Sequence, residues 1–403
     1  MRLLIYGCFL TLVGCAHYVE RTRDVREAYR AYDEPRALAL LEARFGKGDP
    51  GIDKLLVLLD YGTVLHAAGR WAESRDMLAK ADELSQQLDF TSVSEEAGSL
   101  LANETMRTYR GEDFEKLMIT VLQALNYAQL GDDEGALVEI RRCNERLEKM
   151  IAQQKPYEQL AIARYLGGML YEDQHQWDAA AIDYLEAARL QPNLGNLSEP
   201  VLRLAKLTER VDAYAKEASN HLGLVHGPLG ADEGQIAVVI EAGQAPAKEE
   251  GQSPIGKATF VVVPVYTAHT PPVPTASVLF STGSVEATQV TSLDAVARLH
   301  LQDRIGRMIA RSLASAGIKA GLAAAVGVAS KSEELGVLTF GILALTQQAD
   351  TRSWLSLPAE FQIARARVKA GSQTVSVTWG TKTTEHRVDV APGRLKMVVV
   401  RRY

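Results

Sequence analysis

With 403 residues, 23% of them charged and a formal net charge of -6, the chain is too long for a single hydrophobic core and too acidic for a nucleic-acid binder. Two structural units are therefore expected. Its three cysteines cannot build a disulfide framework, because the first two fall in an amino-terminal segment with a separate fate.

That segment opens the chain. Arg2 precedes an apolar run from Leu3 to Val13, followed by Leu12-Val13-Gly14-Cys15-Ala16. A basic start, a short apolar core and small residues before a cysteine have the form of a lipoprotein signal peptide over residues 1–14, cut before Cys15. The run is too short to be a permanent membrane span. Acylation of the Cys15 thiol and of the new amino terminus would anchor the mature chain, each buried methylene contributing roughly 0.8 kcal/mol. Loss of Arg2 leaves 43 basic against 50 acidic residues, about -7. Ala16, where an Asp would favour inner-membrane retention, directs the expectation to the outer membrane, facing the periplasm.

From Asp24 to about Val225 apolar residues recur at helical spacing, so residues 15–226 are expected to be all helix. Three stretches share a small-residue pattern: Leu58, Gly62, Leu65, Gly69, Leu78, Ala81; Ala124, Tyr127, Gly131, Ala136, Ile140, Cys143; and Gly168, Tyr171, Ala180, Tyr184, Ala187, Pro192. These resemble tetratricopeptide repeats, in which small residues let two antiparallel helices approach. The spacing between Gly69, Gly131 and His175 departs from the usual period, so Ser85 to Phe114 and Met150 to Gln159 are expected to hold additional helix. Cys143 falls where the repeat needs a compact buried filler. The concave face of such an array is the default surface for a protein partner, and Tyr127, Tyr171, Trp177 and Tyr184 are its candidate binding residues.

After Gly227-Pro228-Leu229-Gly230 the pattern becomes strand-like through residues 227–403. Runs at 235–241, 258–267, 277–281, 285–291, 361–368, 374–379, 386–390 and 395–401 are separated by Gly, Pro or charged turns, predicting a small antiparallel β domain. Arg394, Lys396, Arg401 and Arg402 around the last run read as guards against edge pairing. An insert at about 293–348 interrupts the strands: an amphipathic start (Val296, Leu299, Ile305, Met308) leads into a Gly- and Ala-rich run, and Leu335 to Leu345 returns. The expectation is a helical hairpin covering the sheet. Its alternative is a membrane-active or pore-associated hairpin over 313–345, against which Lys319 and the shortness of the second run weigh.

Chemical motifs are sparse. Gly251-Gln252-Ser253-Pro254-Ile255-Gly256-Lys257 has the spacing of a phosphate-cradling loop, but Ala258 replaces the hydroxyl residue and a strand, not a helix, follows. Nucleotide binding is not expected. His221 and His226 lack metal spacing and no nucleophile elbow occurs, so no metal, cofactor or enzyme activity is expected. Glu112, Asp113 and Glu115 after Gly111 suit the positive end of a helix better than an acid and base pair.

Tyr109-Arg110-Gly111-Glu112-Asp113-Phe114-Glu115-Lys116 and Ala349-Asp350-Thr351-Arg352-Ser353-Trp354, followed by Leu357-Pro358, together with Gly234 to Ile240 and the lipobox, resemble an uncharacterised proteobacterial family of tetratricopeptide-repeat envelope lipoproteins. The resemblance covers most of the chain. It implies an envelope protein loosely similar to curli-secretion lipoproteins and peptidoglycan-synthase activators, and it brings no catalytic residues with it. The expected fold is thus α+β: an N-terminal TPR-like α-helical array followed by the β domain with its hairpin insert. The expected role is a scaffold for a protein partner in envelope assembly or secretion, held at the membrane by its lipid.

Overall fold

The computed structural model of the chain describes residues 18–90, 107–152, 160–220, 227–254, 260–266, 273–330 and 349–403. Cys15, the histidines 221 and 226, residues 255–259 and the second hairpin run lie outside them.

The described residues up to 220 hold the helices α1 (Tyr18–Arg21), α2 (Arg23–Arg30), α3 (Glu34–Phe45), α4 (Lys54–Ala67), α5 (Trp71–Phe90), α6 (Asp113–Leu130), α7 (Asp133–Ala152), α8 (Ala161–Asp173), α9 (Trp177–Leu190), α10 (Ser198–Leu207) and α11 (Val211–Asn220). They form pairs, α2/α3 through α10/α11, each packed on its partner. Close approach needs small residues: a Cβ on Gly62 would lie 2.5 Å from a Leu78 methyl, and one on Gly168 2.6 Å from the Tyr184 ring. The sequence marks three such pairs and the structure has five among the described residues. All five turns make the same two bonds, for example Gly131 N to Ala128 O and Asp132 N to Tyr127 O, or Glu209 N to Lys206 O and Arg210 N to Ala205 O. That pattern needs a left-handed residue after the helix. Gly69 and Gly131 supply it at no cost, whereas Tyr32, His175 and Glu209 adopt φ of 58° to 59° with a side chain in place. The first and last pairs lack the glycine that would have announced them.

One consequence is testable at Glu209. A side chain in the left-handed region costs roughly 1 to 2 kcal/mol, and glycine's extra freedom in the unfolded chain cancels part of the relief. Glu209→Gly should therefore raise the midpoint of thermal unfolding by about 2 °C, read by circular dichroism. A lower midpoint would mean that the turn tolerates Glu209 without strain.

The strands are β1 (Glu233–Ala242), β2 (Lys248–Pro254), β3 (Phe260–Tyr266), β4 (Ser277–Phe280), β5 (Gly283–Glu286), β6 (Thr288–Ser292), β7 (Glu360–Lys369), β8 (Gly371–Trp379), β9 (Lys382–Val390) and β10 (Leu395–Arg402). One sheet has the order β10-β1-β7-β6, a second β5-β4-β8-β9, and β2-β3 form a separate ribbon. The fold is α+β as expected, but the last strand differs: β10 pairs with β1 in parallel, Val238 opposite Val398, while β7 runs antiparallel on the other side. β10 is an edge strand of its sheet, and Arg401 and Arg402 on it are buried rather than exposed; the Arg401 guanidinium lies over the rings of Tyr29 and Tyr403. Arg394 pairs with Asp173 of α8 at 2.6 Å and fastens the strand to the helices. The phosphate-loop look-alike is also resolved in part, since Gly251 to Pro254 are ladder residues of β2 opposite Val263 to Phe260.

The central sheet is covered on both faces, which accounts for its nearly continuous apolar strands. Ile236, Val238 and Ile240 of β1 face Val278, Val375 and Val377 of the second sheet, closing a sandwich. Ala237 and Val239, with Phe361, Ile363, Leu395 and Met397, join the same core as Leu117, Leu125, Leu166 and Tyr184 of the helices. The boundary at 227 therefore separates helix from strand along the chain without separating two cores. The sheet fills the side of the array expected to receive a partner.

The insert begins as one continuous helix, α12 (Leu293–Ser330), of 38 residues, about 57 Å long. Leu293, Val296, Ala297 and His300 are buried against the body. Farther along, Ala324, Ala325, Val328 and Ala329 are exposed, Val328 at 80%. The first arm does not cover the sheet there; the helical array already does. Among the described residues no helix is long and apolar enough to cross a membrane.

Candidate functional site

The two family-like phrases, 240 residues apart in sequence, meet. Residues 107–112 lead into α6 and residues 349–358 lead into β7. Helix α6 starts with a capping box between Glu112 and Glu115, satisfying amide groups that a helix start leaves unpaired. Glu115 then does more than cap: its Oε2 accepts from the Tyr109 hydroxyl at 2.6 Å and from the Glu112 amide at 2.8 Å, and its Oε1 accepts from the Trp354 amide at 2.6 Å. Burial pushes the Glu115 carboxyl up, and the neighbouring Glu112 adds to that. The Trp354 indole, 1% exposed, donates to Thr63 at 2.8 Å and Ser356 at 3.0 Å. Ser356 in turn donates to Asp60 at 2.6 Å, whose other oxygen accepts from Tyr18.

Beside this plug lies a charged wall. Arg352 holds both oxygens of Asp350, donates to Asp53 at 3.0 Å and to the Arg107 carbonyl at 2.8 Å, and covers the Tyr109 ring at 5.4 Å. Glu112 receives Lys248 of β2 on one oxygen and Arg304 of α12 on the other. Burial opposes its ionisation, but these two cations prevail and hold the carboxyl down to about 2. A cavity of about 300 Å³ opens here, lined by Arg107 to Glu112, Lys248, Arg304, Met308, Asp350 and Arg352. The sequence flagged the phrases as a resemblance only; Lys248, in a polar run with no motif, and Arg304, on the insert, were missed, and nothing local marks either.

A second buried network joins helices to sheet. Glu172 of α8 accepts from the Tyr184 hydroxyl at 2.6 Å, from Arg365 of β7 at 2.5 Å and from Gln235 of β1 at 2.8 Å, and is also paired with Arg203. Desolvation is outweighed by the two guanidinium groups, and Glu172 sits at about 2. Nearby, His66 lies between Asn126 at 2.7 Å and Glu241 at 3.2 Å.

These contacts correct the aromatic groove read from the sequence. Tyr184 is fully buried, bonded to Glu172 and Arg365, and cannot touch a partner. Tyr127, Tyr171 and Trp177 are half-buried against the core, with Arg75 over the Tyr127 ring and His175 against Trp177. Tyr184 therefore cannot belong to the expected groove, while the other three keep part of their surface exposed. Cys143 is buried, and burial raises its thiol to about 11, as suits an inert filler. Glu112 and Glu115 are spent on a cap and on ion pairs.

No protein-family model matches the chain, and no curated protein matches it in sequence. Its helical half is similar to several solved structures. A tetratricopeptide repeat protein from Parabacteroides merdae is 16% identical, with a TM-score of 0.34, over 50% of this chain and 64% of that one. MamA of AMB-1 is 15% identical, with a TM-score of 0.32, over 50% of this chain and 90% of its own. PilW, described as a widely conserved type IV pilus biogenesis factor, is 13% identical, with a TM-score of 0.27 and 90% of its length covered. This chain thus spans about two thirds of the first of these and nearly all of the other two.

Proposed function

We propose that the chain is a lipoprotein tethered through Cys15 to the outer membrane, facing the periplasm, and acting by binding a protein partner in envelope assembly or secretion. The observation that carries this reading is the stack of five helix pairs with identical turns, one side of which is given to the sheet. Among the described residues, Val138 of α7, Ile182 of α9, Leu207 of α10 and Val211 of α11 are exposed at 44% to 68%. In this reading the partner face is the helix surface that carries these side chains.

A photo-crosslinker placed at Ile182 or Val211 in cells should give one dominant adduct, lost when Cys15→Ala releases the chain from membranes. A crosslinker at exposed Arg387 on β9 should give none. Equal adducts from all three positions, or none from any, would remove the scaffold reading.

A second reading is favoured by the exposure of Ala324, Ala325, Val328 and Ala329 at the far end of α12: the insert acts on a bilayer or in an oligomeric channel. Carbonate extraction separates the two, since a Cys15→Ala chain that is exported yet resists extraction has a second membrane attachment.

A further inference from the structure

We propose that His66 and Glu241 hold one trapped proton between them, that this proton locks the helical array to the central sheet, and that the lock opens when alkaline pH withdraws it. His66 stands in the last turn of α4 and Glu241 on β1, each 1% exposed, with Nε2 3.2 Å from a carboxylate oxygen. The proton count follows from the hydrogen bonds on the far side of the ring. Ser74 must donate its hydroxyl hydrogen to the Gly62 carbonyl at 2.7 Å, so the Asn126 group that reaches the Ser74 oxygen at 2.9 Å is the amide nitrogen. The Asn126 oxygen therefore faces the imidazole and accepts from Nδ1 at 2.7 Å. With one hydrogen fixed on Nδ1, a neutral ring would turn the bare lone pair of Nε2 toward the carboxylate. Two buried acceptors facing each other leave both unsatisfied, and a single proton between them serves both.

The surroundings place that proton on the imidazole. Burial opposes ionisation of Glu241, but His66 first and Arg401 of β10 second outweigh it and hold the carboxyl below its ordinary range. A cation in the last turn of α4 also meets the negative end of the helix. The ring packs edge to face on Trp71 at 4.9 Å, and neither Trp71 nor Asn126 titrates. The Tyr29 phenol of α2 and the Tyr403 phenol lie against Arg401, and burial pushes both up, so they stay uncharged through neutral pH. Among these described groups only the pair itself changes charge there. A proton that folding traps is bound more tightly in the folded chain than in the unfolded one, so stability falls as pH rises through the range where the pair releases it. At the acid end Glu241 contributes stability that is present above its ordinary 4.5 and is lost as pH falls, which leaves the lock closed across the neutral range.

The test uses the full chain in detergent with isotope-labelled histidine nitrogens, and His66 is identified in the magnetic resonance spectrum by its cross-peaks with the Trp71 ring, so no variant has to fold. At about pH 8, where an exposed histidine is neutral, both His66 nitrogens should still carry hydrogen. A bare Nε2 at that pH overturns the trapped proton. Urea unfolding across a pH series from about 7 to about 9 tests the coupling to stability. The parent midpoint should fall across that range. In Glu241→Gln the amide can donate to a bare Nε2 and the proton is no longer needed, so the fall should be about half as large or less. Equal falls in the two chains overturn the lock between array and sheet.

Discussion

Arg365→Met should destabilise the protein by about 3 to 5 kcal/mol, the usual cost of removing one member of a buried ion pair. Arg365 is 7% exposed, donates to Glu172, Tyr184 and Gln235, and is the residue through which β7 grips α8 and α9. Without it Glu172 keeps Arg203 but loses half of its charge compensation. Thermal unfolding should fall by about 6 °C or more. Glu172→Gln alone should be similarly harmful, because two guanidinium groups then lack their shared carboxylate, and the double variant should be less harmful than the sum. Simple additivity would show that the clamp is not one unit.

The same clamp has a pH signature. Glu172 sits at about 2 in the folded chain against an ordinary value of 4.5, so its contribution is present above that ordinary value and fades as pH falls toward 2. The stability gap between the parent chain and Arg365→Met should therefore narrow from about pH 4.5 downward. Chemical denaturation at a series of pH values measures it, and a gap independent of pH would assign the loss to packing alone.

The second large effect is expected at Trp354. Trp354→Ala removes a fully buried ring and leaves Thr63 and Ser356 without their donor, at a cost of about 3 to 5 kcal/mol. Trp354→Phe keeps most of the apolar bulk and should cost about 1 to 2 kcal/mol, mainly through the missing indole N-H. The main-chain bond from residue 354 to Glu115 survives both changes. Urea unfolding of the two variants separates ring from hydrogen bond; equal losses would mean that the ring's packing contributes nothing.

How far the sequence reaches is visible residue by residue. The pairs turning at Gly69 and Gly131 are legible because glycine advertises a left-handed turn; those at Tyr32 and Glu209 are not, because the same conformation is imposed by helix packing on residues that do not prefer it. Strands β1, β7 and β10 are legible as apolar runs, but an apolar run reports burial and not its neighbour, so the parallel pairing of β10 with β1 was hidden. Arg401 reads as an exposed edge charge, yet it is buried with its guanidinium over the rings of Tyr29 and Tyr403. At the candidate site the two phrases were visible, while Lys248 and Arg304 became part of it only through long-range folding.

The sequence by itself determined the order of helix and strand and the antiparallel helix pairing at its small residues, both properties of local pattern and composition. Only the tertiary structure decided that the sheet fills the inner side of the helical array, that Tyr184 serves a buried ion network, and that five cations surround one cavity. The reason is physical: which apolar face meets which, and which charges are left together when they do, depend on contacts between residues more than a hundred positions apart.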